Sequence, residues 1–475
     1  MALILKNMMR KVGLGIIPVG GAAEPYGGRA KATLAIIIAN IIVYVLTSYS
    51  SYFISTSSYW VEKLAMVPLL LLEPSEWYRL LTSMFLHADI IHILFNMYFL
   101  YIFGREVERS LGIGRYLLLY FSSGLAATLF HIGFTPIMGF ENLIVPALGA
   151  SGAISGVLGA YLLLYPNRRL TICWFFWLIP WCFTTTASFY LIFWFALQVI
   201  YGYARLGSIA FFAHAGGFVA GLALMGVFKK KPFEEIIKPP ETMPYHPYYE
   251  YYEGYLIAKR YAEATLGSTA RTILLILLTI LVIGEAYSFI AATEASAPIY
   301  IYSIEAGHSI SSMVEDVAVY QVGRGVIFSP VNSDPRIVLN RLYWAGLLNN
   351  GSNKVYTSYT YSKTIVSPIG GVPVNIQLKA YMKYDGNGVL VESHGEIVTD
   401  VLQITGSRVF IVRNQYFVYN ISAGEPVTNI GQRLIMPSLF LPIVFTVTAI
   451  IIIYRKKQPR YKPISISYRY DYEYM

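Results

Sequence analysis

Eight windows of about twenty mostly apolar residues recur along this 475-residue chain, and about that length of helix is what crosses the hydrocarbon core of a bilayer. They fall at roughly 32–50, 88–104, 116–135, 148–165, 183–203, 208–228, 273–293 and 434–454. No water is available in lipid to satisfy a bare backbone, so segments of this kind are expected as helices. A further apolar stretch, Leu170 to Trp181, precedes the fifth window and contains Pro180. It is expected to be a bent re-entrant or interfacial piece. With 56% hydrophobic and 13% charged residues and a mean hydropathy of +0.52, the chain lies far from the soluble average.

Charge placement orients the spans. The 36 Lys and Arg outnumber the 27 Asp and Glu, but they sit in short clusters beside apolar runs rather than on a basic face with interleaved aromatics, which excludes a nucleic-acid partner. Arg29 and Lys31, then Arg105, Arg109 and Arg115, then Arg168 and Arg169, then Lys229, Lys230 and Lys231, then Arg455, Lys456 and Lys457 mark alternate connections as cytoplasmic. The loop from Thr135 to Leu148 carries no Lys or Arg and is expected outside. Before the first window, Lys6, Arg10, Lys11 and a Gly-rich loop lack the pattern of a cleaved signal. Both termini are therefore expected in the cytoplasm and the protein in the plasma membrane. The only cysteines, Cys173 and Cys182, lie in an apolar stretch and are expected as buried hydrophobes rather than a disulfide or metal site.

Residues 295–433 have another texture, rich in Val, Ile, Tyr and Thr. Val374, Ile376, Leu378, Ala380 and Met382 alternate with Asn375, Gln377, Lys379, Tyr381 and Lys383, the pattern of a half-buried strand. Asp385-Gly386-Asn387-Gly388 then predicts a hairpin turn rather than a calcium loop, because the later acidic ligands are missing. This region is expected outside the membrane as a β-rich domain, where Asn350-Gly351-Ser352 and Asn420-Ile421-Ser422 match glycan acceptor triplets. The division expected is 1–31 as a cytoplasmic N-terminal segment, 32–228 as a six-helix unit, 229–271 as a Tyr-rich cytoplasmic linker, 272–294 as a seventh span, 295–433 as the β-rich domain, 434–454 as an eighth span and 455–475 as a basic, Tyr-rich cytoplasmic tail. The fold class expected is thus an all-α polytopic membrane protein with an extracytoplasmic β-rich domain.

Polar residues within spans are costly and mark function by default. Gly149-Ala150-Ser151-Gly152 opens the fourth window near its outer end, and His214 lies a few residues into the sixth, which enters from the same side. Taken alone, Ser151 could reflect close helix packing, and His214 a structural hydrogen bond or a proton path. Together they suggest a nucleophile and its base. Gly217 and Gly221 share the face of His214, and Ser155 and Gly159 that of Ser151, with Gly152 and Gly156 beside them, so two backbones can approach closely. No Asp or Glu occurs between Glu141 and Glu234, which implies a dyad, with Asp89 as the one acid at a similar depth. His92 and Asn96, one helical turn apart in the second window, can donate to an oxyanion, as can the Ser151 backbone N–H. A metal held by His87, His92 and His214 is the rival reading, but no His-Glu-x-x-His pattern is present and it leaves the serine unexplained.

These motifs in this order resemble the rhomboid family of intramembrane serine proteases: Trp77-Tyr78-Arg79, His87, His92, Asn96, Gly104, Glu108, Gly149-Ala150-Ser151-Gly152, His214, Gly217 and Gly221, between about Ala32 and Phe228. The resemblance implies a six-helix rhomboid-like core, Ser151 as nucleophile, His214 as base, His92 and Asn96 as oxyanion donors, and no cofactor. It also implies single-span membrane proteins as substrates, cut near the outer face. His87, Glu108, Gly149, Gly152, Gly217 and Gly221 are then supporting residues. The family carries an aromatic four residues after the serine, where this chain has Ser155. A catalytically weak or inactive relative that binds membrane clients is the alternative, and an extracytoplasmic protein partner is a second role for residues 295–433.

Overall fold

The computed structural model describes residues 16–20, 30–176, 179–206, 210–228, 266–294, 298–321, 325–328, 333–349, 354–367, 370–405 and 408–455. Several sequence expectations lie outside the described residues: those for the basic N-terminal residues and Arg29, for the Lys229, Lys230 and Lys231 cluster with its Tyr-rich linker, for Asn350-Gly351-Ser352, and for the tail from Lys456 onward.

The apolar windows form helices. These are α1 (Lys31–Ser48), α2 (Ile90–Leu111, with a π turn at Leu100–Gly104), α3 (Ile113–Gly133), α4 (Ser151–Leu164), α5 (Ala187–Tyr203), α6 (Phe211–Val227) and α7 (Ser268–Glu294). The β-rich region adds α8 (Ser333–Trp344), and α9 (Met436–Tyr454) follows it. Among the described residues, five helical segments are long and apolar enough to cross a membrane, and α4, α5 and α6 are shorter apolar helices. Leu46, Ile283 and Phe440 are each more than 60% exposed, which in water would form sticky patches and in lipid meets a solvent of its own kind. The chain is an integral membrane protein with several apolar helices and a separate β-sheet region.

The inner helices are α3, α4 and α6. From Ala153 to Leu162 every α4 residue is buried. The 14 residues of α4 reach about 21 Å, short of the roughly 30 Å hydrocarbon core, so a helix end can sit below the membrane surface. Small residues permit this packing. A Cβ on Gly217 would come within 2.0 Å of the Gly152 carbonyl oxygen, and one on Gly221 within 2.0 Å of that of Gly156. Helices α4 and α6 therefore touch backbone to backbone. Outside them, α1 is held by the buried Glu108, whose carboxylate accepts from the Ala32 N–H at 2.9 Å, the Thr33 N–H at 2.7 Å and the Thr33 hydroxyl at 2.7 Å. The two N–H groups are donors a helix start cannot satisfy internally, and the helix dipole favours the negative charge there.

The apolar stretch at Leu170–Trp181 corrects the sequence reading. It belongs to an antiparallel hairpin of β2 (Arg169–Phe176) and β3 (Ile179–Thr186), with β1 (Ile16–Gly20) on the free edge of β2. Twelve residues are too few for a span, and Thr171, Ile172, Trp174, Phe175 and Phe176 favour strands. The hairpin register sets Cys173 opposite Cys182, and the two form a disulfide. The expectation of two buried, unpaired thiols is therefore wrong. Spacing along the chain concealed a pairing that only the strand register creates, and Cys182 is exposed.

Between α7 and α9 lies a seven-stranded antiparallel sheet in the order β6-β5-β4-β10-β9-β8-β7. Its strands are β4 (Ile299–Gly307), β5 (Val314–Gln321), β6 (Gly325–Phe328), β7 (Lys354–Ser367), β8 (Gly370–Tyr384), β9 (Leu390–Thr405) and β10 (Arg408–Ala423). Val338, Leu339 and Leu342 of α8 join Tyr302, Ile304, Ile376 and Leu378 in one core. The alternation read in β8 is present: Val374, Ile376, Leu378, Ala380 and Met382 are buried, while Asn375, Gln377, Lys379 and Lys383 are exposed. Asp385 closes the hairpin, its carboxylate accepting from the Asn387 and Val389 N–H groups and from the Tyr300 hydroxyl. A second apolar cluster ties the sheet region to the bundle, joining Ile299, Ile430 and Ile435 to Leu69, Ile132, Leu143, Ile144 and Ala292. The β region thus adjoins the end of the bundle at which α4 begins.

Candidate active site

Ser151 is the first residue of α4 and His214 the fourth of α6. The glycine contacts described above bring the two helix starts together, and His214 Nε2 lies 2.8 Å from Ser151 Oγ. This is hydrogen-bond distance for a hydroxyl and an imidazole. Their approach depends on the α4–α6 seam, since a side chain at Gly217 would run into the Gly152 carbonyl and separate the helices.

On the other ring nitrogen, His214 Nδ1 lies 3.0 Å from Oε1 of Gln198 on α5. Gln198 is 7% exposed, and its Nε2 faces the Trp194 carbonyl oxygen at 3.4 Å. The Trp194 ring is 6.2 Å from that of His214 and tilted by 32°. Ser155, in the place where the rhomboid-like pattern has an aromatic, turns its hydroxyl back to the Ser151 carbonyl at 2.6 Å. The support that pattern expects on α4 is supplied here from α5.

The second wall comes from α2. Asp89 caps its start, accepting from the His92 N–H at 2.9 Å, which anchors the first turn beside the site. Gly149 takes φ +122, a backbone conformation open chiefly to glycine, and its N–H donates to the Ser83 carbonyl at 2.8 Å. A Cβ at Gly149 would stand 2.8 Å from His92 Nε2 and 3.6 Å from Asn96 Nδ2. Both side chains thus lie against the strand of chain that leads into Ser151, and Asn96 Nδ2 is buried without a hydrogen-bond partner among the described residues. Near the first turn of α4, the Ser151 N–H adds a further donor not needed by the helix.

His87 stands behind this wall rather than in it. It is fully buried, with its ring edge-on to His92 at 5.1 Å. Glu108 is far along α2, where it caps α1. His87, His92 and His214 do not converge on a common point, because His214 already faces Ser151 and Gln198 with its two nitrogens. Ser151 and His214 open on a cavity whose walls include Met84, Thr128, His131 and Ala147.

Two polar residues of the site escaped the sequence reading. Gln198 lies in the fifth apolar window and His131 in the third. His131 is 4% exposed, with neither ring nitrogen paired among the described residues. The signal was available: each is a polar side chain inside an apolar span. Spacing alone gave no reason to place either against His214, since helices α3 and α5 approach it only in three dimensions.

Comparison with known proteins places the same stretch. A family profile described as Rhomboid domain matches residues 74–231, which contain Ser151, His214, His92, Asn96 and Gln198. The chain is 40% identical over 99 residues to the rhomboid protease GluP of Bacillus subtilis (strain 168), a match covering 21% of this chain and 18% of that protein. It is 42% identical over 94 residues to the putative rhomboid protease YdcA of the same strain, covering 20% and 44%. With RHOMBOID-like protein 6, mitochondrial, of Arabidopsis thaliana the identity is 31% over 181 residues, covering 38% and 53%. The matches thus span between 18% and 53% of these relatives' lengths.

Proposed function

We propose that this chain, a member of the rhomboid family, is an intramembrane serine endopeptidase that hydrolyses peptide bonds in or near the transmembrane helices of other membrane proteins. The observation that carries the reading is the 2.8 Å contact of Ser151 Oγ with His214 Nε2 at the starts of two apolar helices. The names of the matched relatives, GluP and YdcA among them, point to the same chemistry.

In the reaction, His214 Nε2 takes the Ser151 hydroxyl proton as Oγ attacks the substrate carbonyl. The oxygen of that carbonyl becomes an anion, and the Ser151 N–H, Asn96 Nδ2 and His92 are placed to donate to it. Collapse breaks the C–N bond, with the imidazolium returning its proton to the leaving amine. Water then enters through the cavity and gives a proton to His214 as its oxygen bonds to the acyl carbon, and His214 returns that proton to Oγ as the C–Oγ bond breaks, freeing the acid and restoring the serine. No cofactor or metal takes part.

Single-span membrane proteins are the substrates proposed, presented from the bilayer to a site near its outer face. The protein is placed in the plasma membrane with eight spans, α1 to α7 and α9, and with both termini in the cytoplasm. Residues 32–228 then form the protease core, 272–294 and 434–454 the added spans, and 295–433 an extracytoplasmic domain that captures substrate or restricts access. The adjoining cluster of Leu69, Leu143, Ile299 and Ile435 supports that last role. A purified transmembrane reporter tests the reading: cleavage by the natural chain and its loss in Ser151→Ala and in His214→Ala are expected. Equal cleavage by either variant refutes it.

A further inference from the structure

We infer that Gln198 is a positioning residue that completes a Ser151–His214–Gln198 relay, fixing the histidine in the tautomer a general base requires. The inference rests on the protease reading above and goes beyond it, because the sequence offers no acid for this place and suggests a dyad alone.

The amide orientation is set by its surroundings. The Trp194 carbonyl oxygen can only accept a hydrogen bond, so the end of the amide that faces it at 3.4 Å is the NH₂ group. The amide oxygen is thereby turned to His214 Nδ1, at 3.0 Å. An amide oxygen can only accept, so Nδ1 carries the proton. Neutral imidazole has one N–H, which leaves Nε2 as a bare acceptor toward the Ser151 hydroxyl at 2.8 Å. The chain of donors and acceptors runs one way, from Ser151 through His214 and Gln198 to the Trp194 carbonyl.

During attack the proton moves from Oγ to Nε2 while the Nδ1 proton stays on Nδ1. The imidazolium that forms is held by the amide dipole, already aimed at it and shielded from water by burial. A neutral amide gives this help without a permanent charge, which suits a helix interior where an unpaired carboxylate is costly. Gln198 also supplies what Ser155 cannot. With the Ser155 hydroxyl turned to its own helix, the ring of His214 is oriented from α5.

The titratable groups that face His214 are His92 from α2 and His131 from α3, and the closest side chains from α5 and α4 are Gln198 and Ser151. A change of charge at position 198 is thus read directly by His214.

The test compares the full-length natural chain with Gln198→Met and Gln198→Glu on a transmembrane reporter across pH, measuring kcat and KM separately. Gln198→Met keeps the bulk and removes the acceptor. Its kcat is expected to fall by about tenfold to a hundredfold, the scale of one buried hydrogen bond lost next to a charge that forms, with KM little changed. Gln198→Glu is expected to recover part of the rate and to move the acid limb of the pH profile upward, because a carboxylate stabilises the imidazolium. A purely structural role would not move that limb. An unchanged kcat in Gln198→Met, or an acid limb in Gln198→Glu that coincides with that of the natural chain, overturns the inference while cleavage by the natural chain leaves the protease reading standing. Absence of cleavage by the natural chain overturns both.

Discussion

Gly217→Ala tests whether backbone contact between α4 and α6 is what assembles the site. The added methyl would stand 2.0 Å from the Gly152 carbonyl oxygen, 3.0 Å from its carbon and 3.2 Å from Ser155 Cβ. Ordinary contact begins near 3.4 Å, so α6 must retreat by about 1.4 Å at this point or rotate away. The obstacle is main chain, not the flexible end of a side chain. His214 is less than one turn from Gly217, and a retreat of that size opens the 2.8 Å Ser151–His214 contact to roughly 4 Å, past hydrogen-bond range. Misplacement by an ångström can cost about a hundredfold in rate, and that loss in kcat on a transmembrane reporter is the expected result. Gly114→Ala is the control, because a Cβ there meets nothing within 4 Å. Thermal unfolding measured alongside separates misplacement from collapse. A folded Gly217→Ala protein cleaving at the natural rate would refute the argument that small residues set the geometry.

Three further outcomes follow from the fold. Glu108→Ala strips the Ala32 and Thr33 N–H groups and the Thr33 hydroxyl of their acceptor and is expected to cost about 3 kcal/mol; an unshifted Tm would contradict the capping role. Alkylation of the denatured but unreduced protein should find no free thiol, and Cys173→Ser should loosen the hairpin by about 2 to 3 kcal/mol given the short loop closed, read as faster hydrogen exchange at residues 170–186; two free thiols would contradict the pairing. For Asp385, burial pushes the carboxyl up, but hydrogen bonds from Tyr300, the Val389 and Asn387 N–H groups and the Asn387 side chain together outweigh it and hold it below the usual range. A depressed folded value means that its stabilisation is fully present above the unfolded value, near pH 4, and is lost as pH falls through the folded value. Protection of the amides at residues 385–390, taken relative to their intrinsic exchange rate at each pH, should therefore fall in acid in the natural protein and be already low and flat with pH in Asp385→Asn; a flat profile in the natural protein would contradict it.

Much of this was legible because a bilayer allows so few choices. Apolar windows gave the helices, and Gly152, Gly156, Gly217 and Gly221 marked the seam on which Ser151 meets His214. In β8, alternation told inside from outside. What stayed hidden were contacts made between segments distant in the chain. Cys173 and Cys182 meet through strand register, α8 is a short amphipathic helix inside a β-rich texture, and Gln198 reaches His214 from a third helix. Even the departure at Ser155 could be read only as a missing aromatic, since the α5 residues that take over are set by helix packing that no local pattern encodes.

The most direct measurement is covalent. A fluorophosphonate probe forms a phosphonyl ester only with a serine oxygen activated by a neighbouring base, and mass spectrometry of the labelled chain reports which one. The account predicts a single adduct at Ser151, abolished in His214→Ala. Adduct at another serine, or label on Ser151 undiminished when His214 is removed, would contradict it.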